Sequence, residues 1–343
     1  MDAFFAAVEE LRRPEFKGKP IVVGGSGDPT QRGVVSTANY EARKYGIRSA
    51  MPLKTAYRLC PDCVFLPVDI EAYASASSVI KGTLREFSPA VEDTGIDEAY
   101  LDISENPLPP EEIAKNIKES IFRKTSLTCS IGVGPNKLIA KIASDMQKPD
   151  GLTVVKPEDT EKFLAPLAVR KLYGIGPKTE AYLKGLGINT IGQLRARTLE
   201  ELIGQFGNSY GTYLYQASRG MDESPLVTEW EPKSMSRETT YQKDTDHWQT
   251  IAKTLAELTR DVARELKSSG YKTKTVTVKI RYGDFTTQTR AKSLQEATDS
   301  YETLRKAAFE ALGRFEGLRA PAEGAAGRAR KVRLVGVRLS GFE

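Results

Sequence analysis

The run Ile96-Asp97-Glu98-Ala99-Tyr100-Leu101-Asp102 sets two adjacent carboxylates inside an otherwise apolar, strand-like segment. Neighbours on a regular strand point to opposite faces. Both acids can face one cation only at a strand end or a turn, and Gly95 supplies the backbone freedom for one. Two carboxylates held close together repel and invite a divalent metal. Mg²⁺ prefers one or two carboxylates plus substrate phosphates, which is the chemistry of nucleotidyl transfer. An Asp-Glu pair alone is more often a solvated surface turn, so the pair gains meaning only from its company.

That company includes residues suited to phosphate. Ser36-Thr37-Ala38-Asn39-Tyr40-Glu41-Ala42-Arg43 passes from a strand into a helix. Helix N-termini offer free N–H groups to phosphate, and Ser36 and Thr37 add hydroxyl donors. Tyr40 and Arg43 are three apart, hence on one helix face, and a guanidinium can fork onto phosphate oxygens. Lys148, just before Pro149, offers a point charge. Taken singly, each of these residues reads as a cap or a solvated side chain. Gly132-Val-Gly134-Pro-Asn136-Lys137 fails the phosphate-loop pattern and reads as a strand-to-helix turn.

The chain of 343 residues has room for two to four domains. Strands are predicted at Ile21 to Val23, Gly33 to Thr37, Val64 to Leu66, in two pieces over Val91 to Ile103, at Leu127 to Val133 and at Leu152 to Val155. Helices are predicted at Asn39 to Tyr45, Pro52 to Leu59, Ile70 to Phe87, Pro110 to Lys124 and Lys137 to Met146. Ile113, Ile117 and Ile121 recur every four residues, marking an amphipathic helix. Mixed helices and antiparallel strands indicate an α+β body. Residues 156–229 read as wholly helical, with a linker near Glu231-Pro232. Beyond it, Ile251, Leu255, Leu258, Val262 and Leu266 mark a helix face. Val276, Val278 and Ile280 alternate with Thr275, Thr277, Lys279 and Arg281 in a half-buried strand with a basic outer face. A helix is predicted at Tyr301 to Phe315, a loop at Gly317 to Ala329 and a last strand at Arg330 to Ser340. His247, Trp230 and Trp248 read as packing or linker residues.

Charge and motif together point to a polyanion. From Lys233 onward there are 22 Lys and Arg against 14 Asp and Glu, a surplus of +8, which leaves −3 for the first 232 residues. A basic third beside a mildly acidic body suits a polyanion grip, or merely a lysine-rich surface. Leu172-Tyr-Gly174-Ile175-Gly176-Pro177-Lys178-Thr179 resembles a helix-hairpin-helix, whose glycine turn brings backbone N–H groups to a DNA phosphate. Three cysteines exclude a disulfide framework, and Cys60-Pro-Asp-Cys63 reads as two reduced thiols rather than a zinc site. There is no apolar run of membrane length and no secretory leader pattern, so a cytoplasmic protein is expected.

Ala3-Phe4-Phe5-Ala6-Ala7-Val8-Glu9, Ser36 to Arg43, Ile96 to Asp102, Lys141 to Pro149 with Gly151, and Leu172 to Gly176 follow one another in an order that resembles the Y-family DNA polymerases, DinB (DNA polymerase IV) branch. Arg237 and Val335-Gly336-Val337-Arg338 match that family's last domain, and the resemblance spans nearly the whole chain. It implies an α+β right-hand polymerase with a ferredoxin-like palm (1–10 and 67–155), small fingers (11–66), a helical thumb with the helix-hairpin-helix (156–229) and a separate α+β little finger (230–343). Asp97 and Glu98 would hold two Mg²⁺ ions. Phe5 would be the flat ring that clashes with a ribose 2′-OH. Ser36, Thr37, Tyr40, Arg43 and Lys148 would contact the triphosphate, with Gly33 and Ser36 leaving room above the nascent base pair. Gly174, Gly176 and Lys178 in the thumb, and Lys279, Arg281, Arg333 and Arg338 in the little finger, would track the DNA backbone. The implied function is low-fidelity, template-directed translesion synthesis by a monomer on primer-template DNA with dNTP.

The chain departs from the family at both ends. The family opens with a strand ending in Val-Asp-Met-Asp-x-Phe-Phe, and this chain begins at the Met of that motif. An N-terminal truncation is therefore expected, with the first catalytic Asp missing, catalysis impaired and a palm sheet edge exposed. Asp2 is the only nearby carboxylate, but a rise of roughly 6–7 Å over two residues exceeds ligand tolerance. The tail through which relatives bind a sliding clamp is absent as well. Gly95 stands where many relatives have Ser. One rival is a DNA-binding fragment without catalysis. The other is a helix-hairpin-helix glycosylase, against which the strand-rich body and Asp97-Glu98 argue.

Overall fold

The computed structural model describes residues 1–316, 318 and 330–343. The loop predicted at Gly317 to Ala329 lies, apart from Leu318, outside the described residues. The chain divides into two units, Met1–Glu229 and Trp230–Glu343.

The first unit opens with α1 (Phe4–Arg12), then β1 (Ile21–Gly24), β2 (Val35–Ala38), α2 (Tyr40–Lys44), α3 (Leu53–Leu59) and β3 (Val64–Leu66). Among the described residues these strands form one sheet in the order β2-β1-β3, with β1 antiparallel to β2 and parallel to β3. The period of two decides what each face of β1 buries. Val22 packs with Val35, Ala38, Ile47 and Leu53, whereas Ile21 and Val23 pack with Phe4, Tyr73 and the isoleucines of the next helices. Cys60 and Cys63, read from the sequence as thiols, are paired in a disulfide where α3 ends. Their Cα atoms are 5.4 Å apart, inside the range a disulfide spans.

Next come α4 (Ile70–Arg85), β4 (Val91–Asp93), β5 (Ala99–Leu101), α5 (Pro110–Thr125), β6 (Ile131–Val133), α6 (Lys137–Ser144) and β7 (Leu152–Val154). The four-residue spacing of α5 holds: Ile113, Ile117 and Ile121 are all buried. Leu127 to Ser130, predicted as strand, precede the paired residues, and β6 is only three residues long. The β strands here make two separate pairs, β4 with β5 antiparallel and β6 with β7 parallel. A ferredoxin-like palm implies one continuous sheet, so β5 and β6 each keep an edge with no strand partner among the described residues. Both line a cavity of about 210 Å³, along with Ile80 and Leu84 of α4 and Ile113, Ile117 and Ile121 of α5.

The helical module contains α7 (Thr160–Leu164), α8 (Pro177–Gly185), α9 (Ile191–Arg195), α10 (Leu199–Phe206) and α11 (Asn208–Ala217). Capping boxes at Thr190/Gln193 and Thr198/Glu201 start α9 and α10.

The second unit runs β8 (Ser234–Thr245), α12 (Trp248–Ser268), β9 (Thr273–Tyr282), β10 (Thr287–Thr298), α13 (Tyr301–Leu312) and β11 (Val332–Phe342). Its antiparallel sheet has the order β10-β9-β11-β8. α12 and α13 cover one face, and Ile251, Leu255, Leu258, Val262 and Leu266 are buried as their spacing predicts. β8 and β10 escaped the sequence reading because they are edge strands with little apolar alternation. Most of their residues are exposed or only half-buried. No described helix is long and apolar enough to cross a membrane.

Gly132 has a steric role in this packing. A methyl group there would overlap the Ala140 carbonyl and the Ser144 amide, so only glycine lets α6 lie this close to β6. Gly132→Ala should therefore destabilise the first unit by about 3 kcal/mol, at the upper end of overpacking costs. Thermal unfolding followed by circular dichroism would show a lowered first transition.

Candidate active site and nucleic-acid interface

Asp97 and Glu98 lie in the turn between β4 and β5, not within a strand. The amides of Thr94 and Gly95 both donate to the Glu98 carbonyl, each at 3.3 Å, and close that turn. The Met1 ammonium donates to the Asp97 carbonyl at 2.8 Å. Both acids line the cavity described above, and its other charged side chains are Lys81, Lys141 and Lys148. Lys141 donates to Glu98 Oε1 at 2.5 Å. Burial pushes the Glu98 carboxyl up, but the Lys141 hydrogen bond, with the charges of Lys141, the N-terminus and Lys148, outweighs burial and holds it below the ordinary glutamate value.

Asp2 does not join them. It is buried, with Oδ1 accepting from Ser130 Oγ at 2.7 Å and Oδ2 from the Asp150 amide at 2.9 Å. Both oxygens are spent tying the start of α1 to β6 and to the turn before β7, which suits a structural carboxylate rather than a metal ligand.

Ser36 and Thr37 are half-buried on β2, and Thr37 pairs with Val23. The predicted free N-terminus of the following helix needs correction. The Asn39 side chain caps α2 by accepting from the Ala42 amide at 3.0 Å, and α2 has only five residues. What α2 does present is its side chains. The Arg43 guanidinium lies 4.7 Å from the Tyr40 ring centroid, and its Nε donates to the Ala38 carbonyl at 2.9 Å. The Tyr40 hydroxyl is buried and finds no hydrogen-bond partner among the described residues. Burial and then the Asp2 charge raise its pKa. Asp145, which also acts on Tyr40, lies 3.5 Å from Lys148 Nζ. The cavity is lined by Asp97, Glu98 and Lys148, whereas Phe5, Ser36, Thr37, Tyr40 and Arg43 do not line it.

Phe5 is half-buried on α1 and stacks on Tyr73, with centroids 4.1 Å apart and planes 12° from parallel. Tyr73 is fully buried and donates its hydroxyl to Glu9 Oε1 at 2.9 Å. Arg12 bonds the same oxygen at 3.0 Å and also reaches Asp69 at 2.9 Å. A ring stacked on a pinned ring holds one orientation. Tyr73 and Lys141 were not singled out from the sequence. In α4 Tyr73 reads only as a core aromatic, and nothing local to Lys141 shows that it meets Glu98.

The glycine turn before α8 forms as predicted, with Gly174 at φ +81° and Gly176 as the N-cap residue. Open space surrounds the place a Gly176 Cβ would take, and Lys178 is exposed with no ion pair among the described residues. Tyr210 braces the turn by donating to the Gly174 carbonyl at 3.1 Å, and Tyr213 by donating to the Tyr173 carbonyl. In the second unit, Lys279, Arg281 and Arg338 share the sheet face opposite α12 and α13, as strand parity and register require. Arg333 departs from that set. It falls in the register shift between Val332 and Leu334, and its guanidinium lies 4.5 Å from the Phe285 ring centroid.

Comparison with known proteins agrees across the chain. Residues 1–145 match the impB/mucB/samB family and residues 232–343 that family's C-terminal domain. Residues 170–222 match the DNA polymerase-iota thumb domain. A protein of Methanoculleus marisnigri named DNA polymerase IV is 46% identical over 287 residues, covering 82% of this chain and 79% of its own length. Another DNA polymerase IV, from Alkalilimnicola ehrlichii, is 45% identical over 83% of this chain and 80% of its own. Among solved structures, a Y-family DNA polymerase chimera of Dbh and Dpo4 superposes with a TM-score of 0.86 at 30% identity, covering 99% of this chain and 97% of that one. An insertion ternary complex of Dbh DNA polymerase gives 0.69 at 29% identity, over 99% and 96%.

The Glu98–Lys141 pair has a pH signature. A carboxyl whose folded pKa lies below its unfolded value adds stability above the unfolded pKa and loses it as pH falls through the folded one. Lys141→Met should raise the Glu98 pKa and remove that acid-side loss. Carbon-13 NMR titration of labelled glutamate carboxyls would show one resonance moving its midpoint upward.

Proposed function

The chain belongs to the impB/mucB/samB family, the DinB-type Y-family DNA polymerases, and we propose from that membership that Asp97 and Glu98 are its metal-binding carboxylates. The activity is template-directed DNA synthesis by nucleotidyl transfer, including synthesis past lesions. The observation that carries the residue assignment is the turn between β4 and β5. It sets Asp97 and Glu98 side by side in a cavity whose other charged side chains are all lysines. Acids for a cation, beside cations for a triphosphate, fit this chemistry.

Family membership implies a divalent metal. Two carboxylates with substrate phosphates suit Mg²⁺. Among the described residues no group of three His, Cys, Asp or Glu side chains is placed to hold an ion. We assign Asp97 and Glu98 as the carboxylates of this chain for two Mg²⁺ ions, with substrate phosphates supplying further oxygens. When bound, Mg²⁺ would lower the pKa of the primer 3′-OH and offset charge on the departing pyrophosphate. Lys148 supplies a point charge to the triphosphate, and Arg43 supplies a fork of N–H donors. The unpartnered Tyr40 hydroxyl is a donor awaiting an acceptor. Ser36 and Thr37 add hydroxyls from β2. Phe5, held by Tyr73, presents a flat ring to the sugar and excludes a 2′-OH. Glu98 stays ionised through Lys141, so no proton has to leave it before it binds a cation.

The subdivision into palm (1–10 and 67–155), fingers (11–66), thumb (156–229) and little finger (230–343) is part of the same proposal. The apolar clusters around β9 and β11 and around β2 and α3 lie wholly within the little finger and the fingers and support it, whereas α6 of the palm shares the cluster of α8 to α11.

Two experiments test these assignments. The first is primer extension with Mg²⁺ and dNTPs, comparing this chain with a form given an added N-terminal strand ending in Val-Asp. The extended form should be faster by about three orders of magnitude, the value of roughly 4 kcal/mol of transition-state stabilisation. Equal rates would show that Asp97 and Glu98 suffice. Binding without extension by either form would favour a DNA-binding role. The second, in the form that extends, is Phe5→Ala, which should cut discrimination against ribonucleotides about 10- to 100-fold, in line with the cost of a steric clash. Unchanged selectivity would remove Phe5 from the sugar site.

A further inference from the structure

The geometry points to Glu238 as a carboxylate that competes with DNA phosphate for Lys279 and so sets how tightly the second unit grips DNA. This rests on the proposal that the outer sheet face meets the DNA backbone. β11 lies between β8 and β9, and Gly336 is in register with Glu238 on one side and Lys279 on the other. Side chains two strands apart stand roughly 9–10 Å from each other at their bases. A side chain at position 336 would stand between them. With glycine there, Lys279 Nζ reaches Glu238 Oε2 at 2.8 Å across the middle strand. The carboxylate lies over the gap, with Oε2 only 3.5 Å from where a Gly336 Cβ would be.

The pair stands among the residues that would contact phosphate. Arg281, in register with Leu334 next along that face, donates through Nε to Thr287 Oγ1 at 2.9 Å. Arg338, in register with Ser236 and Thr277, has no hydrogen bond or ion pair among the described residues. Of these three cations, Lys279 alone is matched by a carboxylate. Phosphate approaching Lys279 must displace Glu238 and also meets its negative charge. Both effects weaken binding, and both act at one contact. A non-specific grip that is moderated in this way lets the chain leave DNA readily.

The test is primer-template binding by the full chain, followed by fluorescence anisotropy over a KCl series. Glu238→Gln should tighten binding on the order of threefold to tenfold and steepen the salt slope by about 0.9, one further phosphate contact. In a Lys279→Ala background, Glu238→Gln should lose most of its effect. An equal gain with or without Lys279, or no gain at all, overturns the proposal. Arg338→Ala separates the two readings. If it weakens binding while Glu238→Gln does nothing, the DNA face stands and the role of Glu238 falls. If Arg338→Ala and Lys279→Ala both leave binding unchanged, the DNA face falls and the proposal with it.

Discussion

Four hydrogen bonds from one buried amide, that of Asn39, set the frame on which the proposed nucleotide site rests. Its Oδ1 accepts from the Ile21 amide at 2.9 Å and the Ala42 amide at 3.0 Å. Its Nδ2 donates to Glu10 Oε1 at 2.7 Å and the Lys19 carbonyl at 2.8 Å. One side chain thus joins α1, the entry to β1 and the start of α2. Leaving any of those buried groups unpaired would cost about 1–3 kcal/mol. The same join fixes where Tyr40 and Arg43 stand relative to the helix that bears Phe5. A local capping residue therefore also sets a distant geometry.

The buried acids divide their work in the same way. Asp2 and Glu9 are both almost wholly enclosed. Asp2 spends its oxygens on Ser130 and the Asp150 amide. Glu9 receives Tyr73 and Arg12. A buried carboxylate is tolerated only with such partners. Asp97 and Glu98, by contrast, sit at a turn where solvent and ligands can reach them. The acids proposed to bind the metal are thus those whose oxygens the fold leaves uncommitted or holds with a lysine.

Much of the fold was legible because its signals are local. The isoleucines of α5, the apolar stripe of α12 and the alternation of β9 each declare a buried face by spacing alone. The Asp-Glu turn was legible for the same reason, since strand parity forbids both acids from sharing a face within a strand. The strands that failed to announce themselves, β8 and β10, are sheet edges whose polar residues carry no period-two apolar pattern. The short α2 misled in another way. The sequence marks a strand running into a helix, but not that Asn39 consumes the amide a phosphate would need.

By itself the sequence determined the α+β class, the order of most elements, their apolar faces and the chemical character of the proposed site, because each follows from spacing and residue type within a few turns. Only the tertiary structure decided which distant groups meet. Lys141 reaches Glu98 from 43 residues away, Tyr73 reaches Glu9 from 64, and Lys279 reaches Glu238 from 41. Neither the division of β4 to β7 into two pairs nor the gap at Gly336 has a local signature. Such pairings depend on how separately formed elements pack, and side-chain spacing along one element carries no information about the element it will face.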